Sequence, residues 1–147
     1  MTFSLVARCR ETGMFGVAVT SSSPAVATRC AYARAGVGAV ASQNVTDPSL
    51  GPLALDLMQG AMSAEAAITE IKRRSRFIDY RQLLAVDQRG QTAIHSGRNC
   101  LGIWAKPVAS CCRYRMRSND EIPSSPHATA SPSMMQERGP ACSAPPQ

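Results

Sequence analysis

The sequence predicts an α+β fold with mixed or antiparallel sheets, on three observations. Two short apolar runs at the start flank a glycine-bearing turn. Two amphipathic helical segments follow each other in the middle of the chain. Two further short runs flank a second turn after them. Strands, then helices, then strands is the order of an α+β domain rather than of repeated βαβ units. The length of 147 residues suits one domain.

Taken in order, Phe3 to Arg8 is apolar and partly β-branched, Cys9-Arg10-Glu11-Thr12-Gly13 is a turn, and Phe15 to Ser21 is a second run. Strand, turn and strand make a hairpin. Val37 to Gln43 is a short apolar third strand, and Asn44-Val45-Thr46-Asp47-Pro48-Ser49 is a loop of turn formers. Pro52 to Gln59 reads as a helix, with proline at its start and Gly60 at its stop. Its apolar positions Leu53, Leu57 and Met58, with Ala54 and Ala61, fit a buried stripe. Ser63 is a suitable N-cap for a second helix from Ala64 to Arg74, with Glu65 in its first turn. Leu83 to Val86 is a strand, Asp87-Gln88-Arg89-Gly90 a turn and Thr92 to His95 its partner; Leu101 to Ala105 begins another extended piece.

Composition narrows the function classes. No apolar run reaches the roughly 18 residues of a transmembrane helix, so no membrane partner is expected. No basic segment followed by a long apolar one opens the chain, so no secretory signal is read and the cytoplasm is expected. The six cysteines are irregularly placed, and a cytosolic chain keeps them reduced. There is no Cys-x-x-Cys, the two histidines lie far apart, and no glycine-rich nucleotide motif occurs. No metal and no cofactor are therefore expected. The net charge of +6 includes the cluster Lys72-Arg73-Arg74-Ser75-Arg76. It reads as a solvated helix end whose cations suit the negative pole of the helix dipole. With 5% aromatic residues and no recognisable module, no nucleic-acid partner is expected. The expected partner is a small-molecule substrate, and self-association into a homo-oligomer is left open.

Thr2 is the residue with the most chemistry. It is small enough for a methionine aminopeptidase to remove Met1 and leave threonine at the terminus. Its hydroxyl would then be a nucleophile and its α-amine, with a reference pKa of about 7.7–8.0, the base beside it. Thr2 also opens a strand, a rigid element on which to hold a nucleophile. Ser21, first of the run Ser21-Ser22-Ser23, would orient the amine or the substrate; the alternative is a serine-rich turn. Arg8 is a candidate for two-pronged binding of a carboxylate, or a surface arginine. Ser42, Gln43 and Asn44, at the end of the third strand, are candidate donors to an oxyanion, or a plain loop entry. His95 is the one histidine between residues 2 and 105 and a candidate proton shuttle, or a structural residue at a strand end. Asp47 and Asp79 are isolated, and no spacing suggests a paired-carboxylate site.

Several blocks carry a resemblance. Thr2-Phe3-Ser4-Leu5-Val6-Ala7-Arg8, Glu11-Thr12-Gly13, Gly16 to Ser21 and Ala35 to Gln43 come first. Asp47 to Pro52, Leu55 to Met58, Ser63 to Ala67, Tyr80 to Leu83, His95-Ser96-Gly97 and Leu101 to Ala105 follow in order. Together they resemble the DUF1028 family of bacterial and archaeal proteins. The resemblance implies an Ntn-hydrolase-like αββα sandwich. With Thr2 it implies an amidohydrolase acting on a small amide or N-acyl compound. Many members carry a basic residue just after the serine of the second strand. Here the segment reads Ser22-Ser23-Pro24-Ala25-Val26-Ala27 with Arg29 beyond, so a lysine-assisted amine is not carried over.

The likeness covers residues 2–105 and fades at Lys106, with an echo at Ser118 to Pro123. Residues 106–147 hold seven of the ten prolines and one of the ten glycines. Ser124 to Gln147 has no hydrophobic period, so disorder is the expectation there. Residues 1–105 are thus read as the N-terminal part of the family domain. Residues 106–147 are read as an atypical tail, disordered or shifted in reading frame, which leaves the sandwich incomplete. Two other functions stand beside the hydrolase: a non-catalytic structural or fimbrial-assembly protein, and an inactive truncated fragment.

Overall fold

The computed structural model describes residues 2–100, and beyond them the backbone of strands at 103–105, 108–109 and 113–119. The opening hairpin forms as the sequence predicts. Strand β1 (Thr2–Arg8) pairs antiparallel with β2 (Phe15–Ser21), from Thr2 opposite Ser21 to Arg8 opposite Phe15. Gly13 turns the corner at φ +72°, a left-handed conformation that a β-carbon resists. The amide of Cys9 donates to the Met14 carbonyl at 2.7 Å and closes the turn.

Next come two short elements that the sequence reading did not separate, helix α1 (Ala27–Cys30) and strand β3 (Ala31–Arg34). Each is four residues long, too short for a helical or a strand period to show. Strand β4 (Gly38–Asn44) is the predicted third strand, one residue displaced. Helix α2 (Leu50–Gln59) starts two residues before Pro52. Proline is tolerated there because the first-turn amides make no intrahelical bond. Helix α3 (Ala64–Arg74) has the predicted cap: Ser63 Oγ accepts from the Ala66 amide at 3.2 Å. After a 3-10 turn at Ile78–Tyr80 follow β5 (Arg81–Asp87) and β6 (Thr92–Ser96).

Strands β7 (Ile103–Ala105), β8 (Val108–Ala109) and β9 (Arg113–Asn119) end the described chain. So part of the segment expected to lack structure is strand, and β9 pairs with β1, Ser4 lying opposite Met116. Its sequence, Arg113-Tyr114-Arg115-Met116-Arg117, alternates polar and apolar with period two, a strand signal that overall composition hides. The expectation for 124–147 lies outside the described residues.

All ladders are antiparallel and form two sheets. Sheet A runs β2-β1-β9-β7, with β8 also on β9; sheet B runs β3-β4-β5-β6. One core lies between the sheets, where Val6 packs with Ala39, Ala41, Leu84 and Val86, flanked by Phe15, Val17 and Ile94. The other lies between sheet B and the helices, built from Val40, Leu83 and Ala85 against Leu55, Met58, Ile68 and Ile71. Both faces of β4 and β5 are therefore buried, and their sequences read as continuous apolar runs rather than alternating ones. Among the described residues the fold is mixed α+β, with two facing sheets and three helices.

Candidate functional site

Side chains alternate across a strand. Val6 faces sheet B, so Thr2, Ser4 and Arg8 point to the same inter-sheet face. Their partners there are Ser21, Val19 and Phe15 on β2. On sheet B the matching face carries Ala39, Ala41 and Gln43 of β4, and Val86, Leu84 and Gln82 of β5. Gln43 lies directly opposite Gln82, and Gln82 opposite Ser96 of β6.

The two hairpin tips share one end of the sandwich. Thr12 to Phe15 and Ala33 to Gly36 line a common cleft of about 430 Å³. Thr2 and Ser21 therefore lie at the opposite end, with Ser4, Gln43, Gln82 and Ser96.

At that end the oxygens Thr2 Oγ1 and Ser21 Oγ are 3.0 Å apart. Ser21 Oγ also accepts from the Ser23 amide at 3.2 Å, which fixes its rotamer. Arg29 braces the turn, donating from Nη2 to Ser23 Oγ and from Nη1 to the Pro24 carbonyl at 3.0 Å. The serine-rich turn is thus real, and it is also what holds Ser21 against Thr2. Met1 lies outside the described residues.

On the two facing sheets at this end sit three polar side chains that the sequence did not group, Ser4 on β1 and Gln43 and Gln82 on β4 and β5. Ser4, Gln43 and Gln82 are 1%, 5% and 6% exposed. Ser4 Oγ and the Nε2 atoms of both glutamines are buried with no hydrogen-bond partner. Buried polar groups are nearly always paired, so three orphans at one end of the inter-sheet layer call for a reason. The signal for Ser4 was its period-two spacing from Thr2; Gln82 needed the register with Gln43.

The other candidates are not brought to Thr2. Arg8 ends the same strand about 20 Å away at the usual rise per residue. It donates to the Cys9 carbonyl at 3.4 Å. Ser42 and Asn44 alternate with Gln43 and so lie on the helix-facing side of β4. Ser42 Oγ donates to the Asp47 carbonyl at 3.4 Å, and Asn44, at φ +69°, turns the chain out of the strand. Its carbonyl accepts from Thr46 Oγ1 at 2.9 Å. His95 pairs with Leu83, whose side faces the helices, and its Nε2 lies 3.0 Å from the Ile78 carbonyl. The histidine ties the 3-10 turn to β6 on the face away from Thr2.

The loop before α2 carries its own electrostatics. Asp47 accepts from Ser49 Oγ at 2.6 Å and from its amide at 3.0 Å, and those bonds hold its carboxyl below the usual range. Burial pushes the Cys100 thiol up. In the cluster at 72–76, Arg73 and Arg74 both bond Glu70, so the helix end is an ion-pair network. Among the described residues, no three His, Cys, Asp or Glu side chains converge to hold a metal. Among the same residues, no helix is long and apolar enough to cross a membrane.

Two facing antiparallel sheets with helices against one of them define an α+β protein, and the Thr2–Ser21 hydroxyl pair lies at one end of its inter-sheet layer. The chain belongs to DUF1028, a family of unknown function whose model matches residues 2–117. The match runs past Ala105, where the residue-by-residue likeness faded, and takes in most of β9. A similar solved structure is the crystal structure of protein SPO2555 from Silicibacter pomeroyi, a DUF1028 protein. It is 26% identical, with a TM-score of 0.73 over 78% of this chain and 53% of that one. The chain thus spans about half the length of that relative. No curated protein matches it.

Proposed function

We propose that this chain is an N-terminal-nucleophile amidohydrolase of Ntn-hydrolase-like αββα type, acting on a small amide or N-acyl compound. The observation that carries the reading is the Thr2–Ser21 hydroxyl pair, 3.0 Å apart on the inter-sheet face. Removal of Met1 would free the Thr2 α-amine as base. The amine takes the hydroxyl proton while Oγ1 attacks the amide carbonyl. The C–N bond then breaks, the departing amine takes the proton, and an ester to Thr2 remains. Water, deprotonated by the same α-amine, cleaves the ester and restores the hydroxyl.

Ser21 orients Thr2 in this scheme. Of the strand-end trio, Gln43 is the one on the nucleophile's face and the candidate donor to the oxyanion. The facing sheets support the sandwich reading, with β1 held between β2 and β9. Intact mass and N-terminal sequencing of the protein from its native host test the first step. A terminal Thr2 with a free amine sustains the proposal; retained Met1 or a blocked amine ends it. A screen of small amides against the wild-type chain and Thr2→Ala tests the second.

A further inference from the structure

We infer that the inter-sheet end of this chain selects a small uncharged substrate carrying a second carbonyl group near the scissile amide, read by Gln43, Gln82 and Ser4. The inference rests on the site proposed above and names its substrate class. Gln43 and Gln82 are register partners on adjacent strands, so their β-carbons stand about 4.5–5.5 Å apart. Both are more than nine-tenths buried, and both present an unpaired Nε2. Ser4 lies two residues along β1 from Thr2, about 7 Å at the usual rise, with an unpaired Oγ. Three buried groups able to donate, all without acceptors at the same end of the inter-sheet layer, suit a ligand rich in carbonyl oxygen. Left empty they carry a desolvation cost; a bound carbonyl offsets it.

The placement of the described cationic side chains narrows the class. Among the described residues, Arg8 stands at the other end of β1, while Arg81 and His95 lie on the helix-facing side of sheet B. Arg29 donates to Ser23 and Pro24 on the turn. A carboxylate buried among neutral carboxamides would lose its hydration without gaining a cationic side chain, and the freed Thr2 α-amine serves the scissile amide rather than the glutamines. A neutral second carbonyl loses far less. N-acyl amino-acid amides, diamides and ureides have the required pattern: a scissile amide and, a few bonds on, an uncharged acceptor.

The test uses binding, so it does not depend on turnover. The ¹⁵N-labelled Thr2→Ala chain is titrated with N-acetylglycinamide, and the side-chain amide resonances of Gln43 and Gln82 are followed by NMR. Gln43→Met and Gln82→Met spectra assign them. N-acetylglycine, an anion, and glycinamide, a cation, are the comparison ligands. Both glutamine pairs are expected to shift saturably with N-acetylglycinamide and less with either charged ligand. Each methionine variant is expected to bind at least about tenfold more weakly, since a site built to hydrogen-bond a group discriminates strongly. Those variants should melt no lower than their parent, because each removes an orphaned buried amide.

Three results would overturn the inference: unmoved glutamine resonances, tighter binding of N-acetylglycine, or methionine variants that bind like the parent. Glutamine amides in contact with internal water and unmoved by any ligand would make the orphans a hydration site only. Saturable binding to a wild-type chain that hydrolyses no amide would sink the hydrolase reading and leave this one standing. Hydrolysis with unmoved glutamines would do the reverse.

Discussion

At the scale of single residues, the candidate nucleophile and the framework have different profiles. Thr2 is half-buried, and its hydroxyl pairs with that of Ser21. Thr2→Ala should abolish hydrolysis of any amide the wild-type chain cleaves, while costing only about 1 kcal/mol of stability. Parallel turnover and thermal-melt measurements check both halves, and retained activity would end the nucleophile reading. Asp87 shows the opposite profile. It is 3% exposed, and its carboxylate accepts from the Ala64 amide at 3.0 Å and from the Arg89 and Gln91 amides at 2.9 Å. One side chain thereby ties the start of α3 to the β5–β6 turn. Asp87→Ala leaves three donors without that acceptor and should destabilise the fold by about 3 kcal/mol, read by urea unfolding. That Thr2, Ser21 and Gln43 lie at one end of the inter-sheet layer was legible because strand ends and side-chain alternation could be read from the sequence. His95, Ser42 and Asn44 were placed there by the same logic, but the parity of one residue decides which face a side chain takes.

At the scale of elements, hairpin β1–β2, helices α2 and α3 and hairpin β5–β6 were readable from period, caps and turns. Packing then sets constraints that no period shows. Gly51 in the first turn of α2 lies so close to Tyr32 of β3 that an added β-carbon would sit 2.0 Å from the ring. Alanine is the better helix former by about 1 kcal/mol, yet Gly51→Ala should destabilise by about 2–3 kcal/mol through overpacking. Gly51→Ala combined with Tyr32→Ala should recover part of the loss, and additive losses in that double-mutant cycle would refute the contact argument. The last turn of α3 makes a pH prediction. Hydrogen bonding from Arg73, joined by Arg74, lowers the Glu70 carboxyl to about 2. Its unfolded value is about 4.3. The stabilising contribution is therefore complete above about pH 5 and is lost as pH falls towards 2. The stability difference between the wild-type chain and Glu70→Gln should shrink over that window and also with added salt; a constant difference would rule the network out as its source.

At the scale of the whole molecule, the two sheets have different histories in the chain. Sheet B uses strands between Ala31 and Ser96, contiguous in sequence. Sheet A joins strands from both ends of the described chain, β1 and β2 with β7, β8 and β9. The α+β class was legible because strand and helix runs could be counted; the facing of the sheets and the partner of β1 were not, since they are set by contacts distant in sequence. Ending the chain at Ala105 would strip β9 from β1 and turn the candidate nucleophile's strand into an edge. That shortened chain should lose the single cooperative melt of the full chain and expose dye-binding apolar surface; an unchanged melt would show β9 to be dispensable. The same pairing acts as a clock during synthesis. Pairings between remote segments form slowly, and chains fold progressively as they emerge. Strand β1 is made first but waits for Arg113–Asn119 before its second ladder can close. In that interval its leading residues remain open to a processing enzyme, so under the proposed mechanism the terminus would be trimmed before its strand is paired on both sides.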